Sequence, residues 1–323
     1  MKRKKLGAIV FMASLGFTAF AMTSEPNYRS MKYTPRSQEE AIAWQKELRA
    51  KLFHILKLDE LIALKTPIPF EAKTLLSEDK GKYTKQELEI NSTAGRRISL
   101  IVTLPQKSDS PCPAVVCVHG HGGSRAIVYD ASSIYKGFAT SLAENGFVTI
   151  STEVGQHEVY EKNRILMGER LWDLIRCVDY LESLQEVDKK RIGCAGLSLG
   201  GEMTMWLAAM DERIKAAVSA GFLTVMDQME QNHCLCWKFE GLRELVDFAD
   251  IYSLIAPRFL LCQNGLKEGP KDFYVPIARD AMQEIKQIFQ DFGQPYRAIL
   301  DVHPGGHEIN LPVLMAFFER NLK

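Results

Sequence analysis

From residue 37 onward the apolar positions fall into two alternating rhythms. Ala41, Trp44, Leu48, Leu52, Ile55 and Leu58 recur at helical spacing, and Ser37 with Glu40 forms a capping-box pattern. An amphipathic helix lying on the surface of a domain is therefore expected over 37–58. Residues 83–90 and 97–104 alternate apolar with polar, which predicts two strands paired antiparallel at a sheet edge. Residues 114–118 are continuously apolar, as a strand covered on both faces must be. Helix and strand patterns then take turns: helix 132–144, strand 147–151, helix 165–184, strand 192–195, helix 202–210, strand 214–219, strand 258–263, helix 276–292, strand 296–302, and a last helix from 308. Strands alternating with helices imply right-handed crossovers and an α/β fold, with a mostly parallel central sheet flanked by helices. Residues 222–250 break the rhythm, and an insertion between late strands is a natural cap over a site.

The start of the chain obeys different rules. Lys2-Arg3-Lys4-Lys5 precede an apolar run from Leu6 to Ala21, which ends in the small-x-small triplet Ala19-Phe20-Ala21. A basic start, a short apolar core and that ending predict an exported protein whose signal peptide, residues 1–21, is removed, for a periplasmic or extracellular destination. The run is shorter than the ~20 residues a membrane span needs, so no membrane insertion is expected after cleavage. Residues 22–80 then form a linker and the amphipathic helix, and 81–323 the catalytic domain. The full chain has 323 residues with 40 basic and 40 acidic side chains; without residues 1–21, 36 basic face 40 acidic, a net charge of −4. That balance argues against nucleic acid or an anionic membrane as a partner.

Seven cysteines are present. Cys112, Cys117, Cys194 and Cys262 sit in or beside apolar strands and Cys177 on a helix, where they serve as small buried hydrophobes. Cys234-Leu235-Cys236 stands apart: two residues is an awkward separation for a mutual disulfide, so each is expected to find another partner or stay free.

The chemistry gathers around Gly196-Leu197-Ser198-Leu199-Gly200, set between an apolar strand and a helix. Strand, Gly-x-Ser-x-Gly, helix is the arrangement of a nucleophile elbow. A serine hydroxyl needs a base to take its proton and a carboxylate to orient that base. In a parallel sheet those groups belong in loops at the carboxyl ends of later strands. His307, in His303-Pro304-Gly305-Gly306-His307, follows the last strand and is the expected base; His303 falls ahead of the glycine turn. The loop after strand 258–263 offers two acids, Asp272 and Glu268. Asp272 is favoured because it is the shorter acid and stands four residues before Pro276, with Glu268 as the alternative. The loop His119-Gly120-His121-Gly122-Gly123 follows the first central strand and should supply an oxyanion donor, the N–H of His121, beside that of Leu199. His-x-His can ligate zinc, but no third ligand set such as His-Glu-x-x-His accompanies it, so neither a metal nor a cofactor is expected and His119 is assigned to fixing the loop. Glu153, Gly155, Gln156, His157 and residues 233–237 are expected as pocket walls.

The order Ser198, acid, His307, with His119-Gly120-His121-Gly122-Gly123, Asp188-x-x-Arg191-Ile192-Gly193 ahead of the elbow, Ile255-Ala256-Pro257-Arg258 and Gly305-Gly306-His307-Glu308, resembles the α/β-hydrolase superfamily over nearly all of residues 80–323. Within it the chain is similar to dienelactone-hydrolase-like and acetyl-xylan-esterase-like secreted esterases. The resemblance implies a serine esterase that forms an acyl-enzyme on Ser198 and acts on a small-molecule or polysaccharide ester. The acid loop departs from the compact Gly-x-x-Asp form by four extra residues. A serine peptidase on the same fold and a catalytically silent binding protein are the other readings; some 60 residues ahead of the first strand are too few for a substrate-gating propeller.

Overall fold

The computed structural model describes residues 29–106 and 111–323; the expected signal peptide lies outside the described residues. In chain order the elements are α1 Gln38–Ile55, α2 Asp59–Ile62, β1 Lys73–Asp79, β2 Tyr83–Asn91, β3 Arg97–Pro105, β4 Cys112–Val118, α3 Phe138–Glu144, β5 Val148–Thr152, α4 Leu166–Ser183, β6 Val187–Leu197, α5 Leu199–Met210, β7 Ile214–Ala220, α6 Met226–Asn232, α7 Leu242–Leu245, α8 Phe248–Ser253, β8 Phe259–Gly265, α9 Val275–Asp291, β9 Ala298–His303 and α10 Leu311–Leu322. The nine strands form one sheet in the order β1-β2-β3-β5-β4-β6-β7-β8-β9. β1, β2, β3 and β5 pair antiparallel in sequence, and every pairing from β5 to β9 is parallel.

Alternation along the central strands divides the core into two layers. Ala114, Val116 and Val118 of β4 face one apolar cluster shared with α1, α4, α5, α8 and α9, while Val115 and Cys117 face a second cluster shared with α3 and α10. α5 is buried along its whole length, Trp206 included. α1 lies over it: Gln45 donates to the carbonyls of Ser253 and Ala256, and Arg49 to those of Ala209 and Leu254. Such a helix can be apolar all round only because other helices cover it.

The site's location follows from strand order. From β4 the chain crosses to β5 on one side, whereas from β6 it crosses to β7 on the other. β4 and β6 are neighbours, with Val118 opposite Gly196, so the loops leaving them diverge and open a crevice at the strand ends.

Among the differences from the expected pattern, three have a local cause. β1 is an added edge strand with an almost wholly exposed sequence, which carries no alternation to read. α3 starts at Phe138 instead of 132, because Lys136 and Gly137 both take left-handed backbone at φ 53° and 57° and interrupt any earlier turn. α10 starts at Leu311, after a turn that bonds Ile309 N–H to the Ile134 carbonyl. Cys117, Cys177, Cys194, Cys234, Cys236 and Cys262 are free thiols.

Candidate active site

Ser198 sits between β6 and α5 with φ 63° and ψ −127°, a conformation that costs a non-glycine residue of order 1–3 kcal/mol and is held only by its surroundings. Its backbone N–H donates to the Ala220 carbonyl at 2.9 Å and its carbonyl accepts from Glu202 N–H at 2.9 Å. The flanking glycines are required sterically: a Cβ on Gly196 would collide with the Gly200 carbonyl, and one on Gly200 with the Val118 carbonyl. Leu199 is the first residue of α5, where a backbone N–H has no intrahelical acceptor and lies at the positive end of the helix dipole.

His307 Nδ1 lies 2.9 Å from Glu268 Oε2. The carboxylate that meets His307 is thus Glu268 and not Asp272, the acid favoured from the sequence. The cause is the turn after β8: Glu268 N–H donates to the Gly265 carbonyl and Glu268 Oε1 accepts from Gly265 N–H at 3.1 Å, which folds the longer side chain back under the strand end and buries it. Asp272 stays exposed and closes its own turn, its N–H donating to Gly269 O at 2.9 Å and its Oδ2 accepting from Gly269 N–H. The imidazole of His307 stacks on Phe273, with centroids 5.3 Å apart and planes 15° from parallel. Gly221, at φ 55°, lies under the same ring; a Cβ there would come within 2.7 Å of His307 Cε1. His303 is buried at the end of β9, its Nδ1 accepting from Gly305 N–H. Ser198, His307, Glu268, Asp272, His233, Lys267 and Phe273 line one cavity of about 340 Å³.

On the other side of Ser198, fully buried His119 braces the loop after β4. Its Nδ1 donates to the Gly120 carbonyl at 2.8 Å, and its Nε2 lies 3.0 Å from Val154 N and 3.1 Å from Glu153 Oε2. Gly120 N–H donates to the Tyr135 hydroxyl at 2.6 Å. His121 occupies the tight turn in which Gly123 N–H returns to the Gly120 carbonyl. Beyond this loop runs a polar groove of about 760 Å³, lined among others by Arg96, Gly122, Gly123, Glu153, Gln156 and Tyr160. Arg96 is locked there by two 2.7 Å contacts with the Asp173 carboxylate.

Behind the groove, fully buried Arg170 donates to the Gln156 carbonyl and, at 3.4 Å, to Cys236 Sγ. Burial pushes the neighbouring Glu202 carboxyl up to about 8, with Arg170 pulling the other way. Burial likewise raises the Cys236 thiol, against the same guanidinium.

Residues 98–233 match the model of the Dienelactone hydrolase family, and 11–163 that of an Abhydrolase family. Over 91% of this chain and 66% of the other, the fold superposes on that of Methylesterase BT1017 with a TM-score of 0.73 at 19% identity. The chain belongs to the α/β-hydrolase superfamily. An acetyl xylan esterase from Paenibacillus sp. R4 superposes on this α/β hydrolase with a TM-score of 0.60 at 16% identity, over 92% of this chain and 99% of that one. The Bacillus subtilis (strain 168) protein YtaP, provisionally named a hydrolase, is 25% identical over 224 residues, 62% of this chain and 75% of its own. Four further relatives, 30–34% identical, are matched over only 28–39% of their own length.

Of the residues expected as pocket walls in this hydrolase, Glu153, Gly155 and Gln156 line the polar groove and His233 the Ser198 cavity, whereas Trp237 is fully buried. His157 does neither: it joins His121, Cys234 and Cys236 in a cluster whose ligand atoms all lie within 4.8 Å of one another. No spacing rule links these positions, which come from three separate loops. Tyr135, Phe273, Arg170 and Gly221 also escaped the sequence reading; only Gly221, directly after a strand end, carried a recognisable signal.

Proposed function

We propose that this α/β hydrolase is an exported serine esterase acting on acylated carbohydrates. In this reading Ser198 attacks the acyl carbon while His307 Nε2 takes the hydroxyl proton, with Glu268 holding Nδ1–H and stabilising the imidazolium that forms. The backbone N–H groups of Leu199 and His121 receive the oxyanion. His307 then returns its proton to the leaving alcohol, and water repeats the sequence on the acyl-enzyme.

The observation that carries the reading is the 2.9 Å His307–Glu268 contact in the cavity that Ser198 lines. The carbohydrate half is supported by the polar groove next to the oxyanion loop, which suits a hydroxyl-rich leaving group, and by the carbohydrate-esterase names among structural neighbours. The cavity at Ser198 is small, which favours a short acyl group such as acetyl. No helix among the described residues is long and apolar enough to cross a membrane. Export rests on residues 1–21 and is checked by N-terminal sequencing of the periplasmic or secreted protein, expected to begin at Met22.

The test is a hydrolysis panel of acetylated xylan, acetylated monosaccharides, methyl glucuronate esters and feruloyl esters, run beside labelling with a fluorophosphonate. Acetylated saccharides should be cut fastest and the label should sit on Ser198. Ser198→Ala should lower turnover by about 10⁴-fold or more and abolish labelling. An unlabelled Ser198 in folded protein would remove the acyl-enzyme mechanism; labelling with no saccharide ester cleaved would remove the substrate class.

A further inference from the structure

The cluster of His121, His157, Cys234 and Cys236 has no part in the proposed acyl transfer, yet it has a definite composition and shape. His121 Nε2 lies 3.1 Å from Cys236 Sγ, and His157 Nε2 lies 3.3 Å from Cys234 Sγ. The two imidazoles stack at 5.3 Å, 29° from parallel, and the four ligand atoms all lie within 4.8 Å of one another. A tetrahedron with Zn–S about 2.3 Å and Zn–N about 2.0–2.1 Å has edges of about 3.3–3.8 Å, so the ligand atoms need only small rotamer adjustments to enclose an ion. Two thiolates and two imidazoles in tetrahedral array select zinc among the common divalent ions. A supporting contact is present as well: buried Arg170 directs a guanidinium N–H at Cys236 Sγ, the kind of donor that stabilises a metal-bound thiolate and orients it.

We propose that these four residues form a structural zinc site that clamps the 222–250 insertion to the loops after β4 and β5. Cys234 and Cys236 come from the insertion, His157 from the loop after β5 and His121 from the loop after β4. On binding, the two thiols release their protons to solvent and the imidazoles enter as neutral ligands, so uptake is balanced without any redox step. All four protein ligands are taken, which leaves no open position for a metal-bound water and makes the site a clamp and not a second catalyst. On the proposed function, in which His121 also supplies an oxyanion N–H, the clamp holds that donor against Ser198.

The experiment uses the full mature chain, purified under reducing conditions without oxygen. After incubation with zinc sulfate and desalting, elemental analysis should return one zinc per chain. Cobalt substitution should give a thiolate-to-cobalt charge-transfer band together with the visible bands of a tetrahedral site. Cys234→Ser/Cys236→Ser should retain no stoichiometric zinc, and His157→Ala should bind about 100-fold more weakly or worse, each with its far-UV circular dichroism unchanged. Ser198→Ala should bind zinc as the wild type does, which separates this result from any failure of the esterase reading. Reduced wild type that retains no zinc, zinc retained equally by the double cysteine variant, or a site that takes copper(I) but not zinc would each overturn the assignment.

Discussion

On one side of Ser198, His307 and Glu268 arrive from the ends of adjacent parallel strands, β9 and β8, and meet beneath a stacked aromatic ring. On the other, His121 and His157 follow the paired strands β4 and β5, Cys234 and Cys236 come from the insertion after β7, and the four meet near the surface. The first flank is held by the sheet: strand register fixes where the loops begin, and glycines at close approaches fix where they turn. The second has that frame for its two histidines only; the insertion that carries its cysteines has none, and side chains have to bind it to the rest. On the proposed function, the groups whose geometry must hold to a fraction of an ångström are thus on rigid strand ends, while the insertion's cysteines are on a segment that can be re-formed.

The largest effect is expected at the two carboxylates of the first flank. If the strand-end frame decides, Glu268→Gln should cut kcat by about 10³–10⁴-fold, the range seen when the orienting acid of a triad is removed, with little change in KM. Asp272→Asn, which alters an exposed turn in the same cavity, should stay within about threefold. Measuring both with p-nitrophenyl acetate decides between them; equal losses would mean that Asp272 shares the role.

Beneath the second flank the test is thermodynamic. Glu202 has an ordinary value of 4.5 and a native value near 8, so between those pH values the native state binds more protons than the unfolded one. Unfolding free energy must then fall as pH rises through that window. Glu202→Gln carries no titrating group there. Between pH 5 and 8 the wild type should lose on the order of 3 kcal/mol relative to this variant, measured by urea unfolding. A flat difference would mean that Arg170 keeps Glu202 ionised in the folded protein.

How much could be read from sequence follows the same division. The elbow was legible because its demands are local: Gly196 and Gly200 sit at fixed offsets from Ser198, between a strand and a helix that each carry their own periodicity. His307 was legible from chain order and its two glycines. Which carboxylate meets His307 was not, because the choice between Glu268 and Asp272 rests on a hydrogen bond from Gly265 N–H to a side chain three residues on, and the distance to Pro276 says nothing about it. β1 was invisible since an exposed edge strand needs no apolar face. The histidine–cysteine cluster was the least legible of all. His-x-His and Cys-x-Cys each lacked partners within any known ligand spacing, and only the loops after β4 and β5 bring the pieces together.

Gly221 tests whether the first flank depends on close approach. Gly221→Ala places a methyl group against the His307 ring in a left-handed backbone that already costs a substituted residue roughly 1–2 kcal/mol. The imidazole yields by moving off Glu268 or away from its place in the Ser198 cavity. A displacement near 1 Å should cost about 10²-fold in kcat, while the variant remains folded. An active variant with shifted His307 chemical shifts would show that the base tolerates more freedom than the strand-end frame implies.

The smallest effect expected lies at Tyr135, whose hydroxyl accepts Gly120 N–H in the loop between the two flanks. Tyr135→Phe leaves that buried N–H without an acceptor, at a cost of about 1–3 kcal/mol in whichever state must bury it. If the loop serves only packing, the melting temperature should drop and kcat should not. If the bond aims His121 N–H at the oxyanion, kcat should fall about tenfold with KM nearly constant, because the lost interaction belongs to the transition state and not to the bound ester. Zinc-loaded protein sharpens the distinction: an ion on the His121 side chain would hold the loop from its other end, so the kcat defect of Tyr135→Phe should be smaller with the metal than without it. A defect of equal size in both forms would leave the two flanks mechanically independent.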